Sequence, residues 1–150
     1  MNCLKSTLTF LSMFCLFSIG YSQKWIFIDE EYNGVMNYFD SETVKNEDGI
    51  IIIWLKEEIK TSKLTSFRTW KIKERKKFNL SVKGYDSYLY SLSKLEFDID
   101  KRKYSILFDG DYNKAGIIKS FDYQNDNIVW YEIVPDSRIE EVFKKIKSEN

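Results

Sequence analysis

Residues Ile50, Ile51, Ile52, Ile53, Trp54 and Leu55 form an unbroken apolar run with four consecutive β-branched side chains. Such side chains are stiff at χ1 and favour a pleated backbone, so the run predicts a central strand buried on both faces. Upstream, Lys24 to Ile28 and Val35 to Phe39 are apolar runs separated by Asp29, Glu30, Glu31, Tyr32, Asn33 and Gly34, which predicts a β-hairpin. Asp40, Ser41 and Glu42 follow, and a second turn is expected at Asn46 to Gly49, just before the isoleucine run.

Downstream the periodicity lapses. From Glu57 to Lys83 the apolar residues Ile59, Leu64, Phe67, Trp70, Ile72, Phe78 and Leu80 keep neither a period of two nor one of 3.6. Within this stretch Arg68, Lys71, Lys73, Arg75, Lys76 and Lys77 crowd together with Glu74 as the only acid, the pattern of an exposed loop or a charged edge strand. Alternation resumes over Tyr85 to Phe97, in two registers that imply a bulge or bend. Tyr104 to Asp109 and Ile117 to Tyr123 read as shorter strands joined by turn chemistry at Asp111 to Gly116.

The C-terminus changes to helical spacing. Ser137 and Glu140 form a capping box behind Pro135, and Ile139, Val142, Phe143 and Ile146 fall on one stripe, so a helix is expected from about Arg138 to Lys147. Glu140 and Glu141 at its start and Lys144, Lys145 and Lys147 at its end suit the macrodipole. Together these elements predict an α+β fold: a single antiparallel, mostly meandering sheet of about six strands with the C-terminal helix packed on one face.

The first residues read as a signal peptide, residues 1–22. Lys5 precedes an apolar run from Leu8 to Ile19 that is shorter than the roughly 20 residues a membrane span needs, and Gly20 and Ser22 flank Tyr21 as a peptidase site requires. Cys15 follows Phe14 where a lipoprotein would carry a small residue, and reads as part of the apolar run. Export to the periplasm, the cell surface or the medium is therefore expected, with residues 23–150 as one domain and no transmembrane segment after cleavage. Both cysteines, Cys3 and Cys15, lie in the leader, so the mature domain has no disulfide.

The chain contains no histidine, which with the loss of both cysteines removes Ser-His-Asp and Cys-His catalysis and imidazole or thiolate metal sites from the mature domain. Carboxylates remain at Asp98 with Asp100, at Asp109 with Asp111, and at Asp29, Glu30 and Glu31, all read as hydrated turn residues. Asp109, Asp111 and Asn113 alternate as in a calcium loop, but Lys114 and Ser120 replace its glycine and its bidentate glutamate, so a plain hairpin turn is expected. No enzyme activity, metal or cofactor is expected. Charge is balanced, with 23 basic and 23 acidic residues, which gives no overall field for nucleic acid. A binding role is carried by the basic-aromatic cluster, and the candidate partner-binding residues are Arg68, Trp70, Lys71, Lys73, Arg75, Lys76 and Lys77. Tyr85, Tyr88 and Tyr90 read as sheet-face packing residues.

Five segments in order carry a resemblance: Trp25 after the leader, "YFDSETVKNEDGIIIIWLK" (38–56), "LEFDIDKRKYSIL" (95–107), "YNKAGIIKS" (112–120) and "WYEIVPDSRIEEVFKKI" (130–146). Together they resemble the surface-adhesin protein E family of small exported bacterial domains. That resemblance implies an antiparallel sheet with a packed C-terminal helix, and adhesion to host extracellular proteins. Relatives carry a cysteine where this chain has Ile99, and a partner cysteine near the C-terminus; the resemblance therefore implies that one disulfide is missing and that Phe143 and Ile146 hold the helix by packing.

The expected function is an exported, non-enzymatic binding protein recognising a protein or a polyanion through its sheet edge and the 68–77 region. An alternative is a periplasmic small-molecule or envelope-assembly module with a pocket between sheet and helix, lined by Tyr88, Tyr90 or Phe143. A third is a carboxylate-dependent hydrolase, which requires two acids converging in one concave site.

Overall fold

In a computed structural model, which describes residues 23–123 and 128–149, the chain forms one antiparallel sheet of eight strands and two α-helices. The expected signal peptide lies outside the described residues. The strands are β1 (Trp25–Glu30), β2 (Val35–Asp40), β3 (Lys45–Glu47), β4 (Ile50–Ile59), β5 (Tyr88–Asp98), β6 (Lys103–Asn113), β7 (Gly116–Asp122) and β8 (Tyr131–Glu132). The helices are α1 (Leu64–Lys77) and α2 (Arg138–Glu149). Among the described residues no helix is long and apolar enough to cross a membrane.

The main order is β1-β2-β4-β5-β6-β7, a meander in which each strand pairs with the next one along the path. The count exceeds the expected six because two long strands each carry two partners on one side. Along β4, Leu55 to Ile59 pair with β2 while Ile50 to Ile52 pair with β3. Along β6, Phe108 to Asn113 pair with β7 while Lys103 and Tyr104 pair with β8. The switch from β2 to β3 is fixed by Asp40, whose Oδ1 accepts from the Lys24 and Glu42 amides, each at 3.1 Å. The β3–β4 turn is the expected one: Asp48 and Gly49 both have positive φ, 51° and 78°, as a two-residue type I′ hairpin demands. The β5–β6 register shifts between Lys94 and Leu95, the bulge implied by the two alternating registers.

Three expectations are corrected. The isoleucine strand is buried on one face: Ile51, Ile53 and Leu55 lie in the core, whereas Ile50, Ile52 and Trp54 are half-buried on the opposite face. Both helices pack on the first face; among the described residues the second is sheltered by its own large side chains, with Trp54 edge-on to Phe108 at 5.5 Å and Tyr90 stacked on Tyr112 at 5.0 Å.

The second correction is that the basic segment is neither loop nor edge strand but helix α1. Its Leu, Lys, Arg and Glu residues are good helix formers, with no glycine or proline among them. Arg75, Lys76 and Lys77 favour its negative end. Asn79 then turns left-handed (φ 53°), so that Leu80 N–H donates to Arg75 C=O and Asn79 N–H to Lys76 C=O, a Schellman closure. The third concerns Asp111 to Asn113, expected in a turn, which continue strand β6 and leave only Lys114 and Ala115 between the strands.

The helix-covered face holds two apolar clusters. Under α2, Val142, Phe143 and Ile146 meet Phe39, Ile51, Ile53, Leu55, Leu95, Phe97 and Ile133. Under α1, Val35, Ile59, Tyr85 and Tyr88 are buried with Leu64, Phe67 and Ile72 partly covering them. The C-terminal helix is thus held by packing through Phe143 and Ile146, as expected, and it runs to Glu149.

Candidate functional site

Cross-strand register determines what separates the two clusters. Asp29 pairs with Asn37, Asn37 with Glu57, Glu57 with Ser91, Ser91 with Asp111, and Asp111 with Lys119. Because directly paired residues project to the same side, these six polar side chains form one row across the whole helix-covered face. Each helix sends a cation into it. Lys71 of α1 meets Asp111 Oδ1 at 2.6 Å, and Arg138 at the start of α2 pairs with Glu57 and Glu31.

Between the helices the row opens as a cleft of about 420 Å³, whose lining includes Lys71 and Arg75 of α1, Ser93, Asp109 and Asp111 on the sheet, and Arg138. Asp111 is the most heavily bonded group: besides Lys71 it accepts the Ser91 hydroxyl at 2.6 Å and the Tyr85 hydroxyl at 2.5 Å. Burial by itself would raise the Asp111 pKa. The Lys71 charge and the hydrogen bonds from Lys71, Ser91 and Tyr85 outweigh burial and hold the carboxyl below its ordinary value. Tyr85 and Tyr88 are pushed up, chiefly by burial; at Tyr85 the bond to Asp111 adds to the shift. At the β2 position of the row, Asn37 donates to Asp29 at 2.7 Å while its buried Oδ1 has no partner among the described residues.

The candidate residues divide between two sides of α1. Arg68, Lys71 and Arg75 face the sheet: Arg68 Nε donates to Tyr88 C=O at 2.8 Å, Lys71 Nζ lies 4.1 Å from the Tyr88 ring centroid, and the Arg75 guanidinium lies 4.3 Å from that of Tyr85. Trp70, Lys73, Lys76 and Lys77 are exposed on the outer side. Lys77 is paired with Glu74, and Trp70 rests against Phe67 with ring centroids 5.2 Å apart.

The expected pocket residues lie elsewhere. Tyr88 and Phe143 are buried in separate clusters, and Tyr90 stacks on Tyr112 on the uncovered face. A pocket between sheet and helices is present, but charged residues line it.

Among the acids, Asp98 caps the Lys101 amide at 2.9 Å and pairs with its ammonium, as a turn acid does, but it is buried at the end of β5 rather than hydrated. Asp29 instead belongs to the polar row. Asp109 and Asp111, expected in a hydrated turn, both reach into the cleft from alternate positions of β6. No group of three or more acids that could hold a metal occurs among the described residues. Sequence reasoning missed the row because its members come from six strands; the alternation within β6 was the only local signal. No protein-family model and no curated protein matches this chain significantly.

Proposed function

We propose that this chain is an exported, non-enzymatic binding protein, akin to surface adhesins, which recognises an acidic protein or a polyanion through the outer side of α1. The reading is supported chiefly by Trp70, 53% exposed and fixed against Phe67, with Lys73, Lys76 and Lys77 beside it, of which Lys77 alone is ion-paired among the described residues, to Glu74. Phe78 (70% exposed) and Leu80 (44%) extend the apolar part of this surface past the helix end. An exposed aromatic anchor is a residue type that interfaces favour, and the lysines beside it match an acidic partner by charge.

Arg68, Lys71 and Arg75 serve in this reading as the bolts that seat the helix. Heparin, as a probe polyanion, should retain the protein in a salt-sensitive manner, and K73Q/K76Q/K77Q, which removes the charge without placing acids at the helix end, should sharply reduce retention while leaving the circular dichroism unchanged. Undiminished retention of that variant would remove α1 from the interface.

A second reading, a small-molecule module, is favoured by the cleft between the helices. The hydrolase reading is weakened by Asp111 itself: kept ionised by Lys71 it is not the proton donor, and with Lys71 and the Ser91 hydroxyl on Oδ1 and the Tyr85 hydroxyl on Oδ2 it is not a free nucleophile either.

A further inference from the structure

Lys71 and Arg138 bring charge into the cleft that Asp111 and Glu57 already balance. Three lining groups have no ion pair among the described residues. Asp109 accepts the Ser93 hydroxyl at 2.9 Å and meets no cation. Lys119 Nζ sits 4.1 Å from the Phe121 ring centroid. Arg75 donates Nε to Ser81 C=O at 2.6 Å, which leaves its terminal nitrogens without an acid. All three are half-buried, so charges of both signs face one cavity with sites open to a ligand or to water.

Their arrangement follows from register. Lys119 lies opposite Asp111 and Phe121 opposite Asp109, so Lys119 and Asp109 are diagonal neighbours, roughly 7 Å apart. Arg75 stands one turn beyond Lys71 on α1, and Ile106 and Phe121 supply apolar wall.

The geometry points to a site for a small zwitterion, a free α-amino acid or a molecule of similar size. Its carboxylate meets Lys119 and Arg75, its ammonium meets Asp109 with the Ser93 oxygen as a second acceptor, and its side chain lies along Phe121. A ligand that is only an anion would confront Asp109, and one that is only a cation would confront Lys119 and Arg75, so the site discriminates against both. A volume of about 420 Å³ suits a ligand of this size. This site is separate from the outer side of α1, and either can hold without the other.

The test is titration of the protein with the proteinogenic L-amino acids one at a time, and with acetate, methylamine and inorganic phosphate, followed by amide chemical shifts. At least one amino acid should shift β6 and β7 amides saturably and bind about tenfold or more tighter than acetate or methylamine. D109N should lose about tenfold or more for that amino acid but not for acetate, and K119Q should weaken both. Three results each overturn the inference: phosphate binding as tightly as the best amino acid, unaltered amino-acid affinity in D109N, or no saturable shift with any amino acid. The wild-type comparison stands even if a variant is destabilised.

Discussion

The two helices lie on the same face of the same sheet, yet they are attached by different physics. α2 buries Val142, Phe143 and Ile146 in a continuous apolar seam. α1 buries no residue fully; its sheet-facing stripe alternates Leu64, Phe67 and Ile72 with Arg68, Lys71 and Arg75, and those cations reach carbonyls, rings and Asp111. Apolar burial is indifferent to orientation, whereas charged hydrogen bonds demand geometry and tolerate water. α2 is therefore seated by apolar burial and α1 largely by charged contacts.

The most forceful way to break this comparison is Phe143→Ala. The ring is 3% exposed and packs on Phe97 with centroids 5.9 Å apart, so its loss should cost about 3–5 kcal/mol. Urea unfolding should show one cooperative transition at a much lower midpoint. If the loss were below about 1 kcal/mol, the α2 seam would not be the domain's main core.

A smaller and more local effect is expected from Asp111→Ala. It strands Lys71, frees the Tyr85 and Ser91 hydroxyls, and should cost about 2–3 kcal/mol, with both members of the ion pair under a fifth exposed. The distinguishing signature is regional: amide exchange should accelerate across 64–77 before it does across 138–149. Equal acceleration in both helices would mean that α1 is not a separately seated unit.

The same contrast explains what could be read in advance. α2 was legible because its signals are local: Ser137 and Glu140 mark the start, and four apolar residues at helical spacing mark the buried side. The strand at Ile50 to Leu55 was legible for the same reason. Its single buried face was not, because whether Ile52 and Trp54 are covered depends on where both helices go. α1 failed the periodicity test because cations occupy half of its inward positions, so its inward side does not look apolar. The polar row was beyond reach for a deeper reason. Asp29, Asn37, Glu57, Ser91, Asp111 and Lys119 are unrelated in sequence and are brought together only by the register of six strands, which bulges at Phe27 to Asp29 and Asp111 to Tyr112 adjust by single residues.

The smallest expected effect sharpens the comparison from the α2 side, at the ionic cluster in its first turn. Glu140 is buried at the start of the helix, where its Oε2 accepts the Asp136 amide at 3.0 Å and Lys144 and Arg102 both pair with the carboxylate. The Asp136 amide first, then the bonds from Lys144 and Arg102, bring its pKa down from 4.5 to about 2. A carboxyl whose folded-state pKa is depressed stabilises the fold above its unfolded value, and that contribution disappears as pH falls through the window from 4.5 to about 2. Glu140→Gln should therefore be less stable than the wild type at neutral pH, and the gap should close across that acid window in urea titrations. A gap that persisted unchanged at pH 2 would mean that the substituted amide disturbs packing rather than charge, and the α2 start would then depend on shape as the rest of its seam does. Closure of the gap would instead leave α2 with a titratable clasp on an apolar body, the reverse of α1, where an apolar minority accompanies a charged seat.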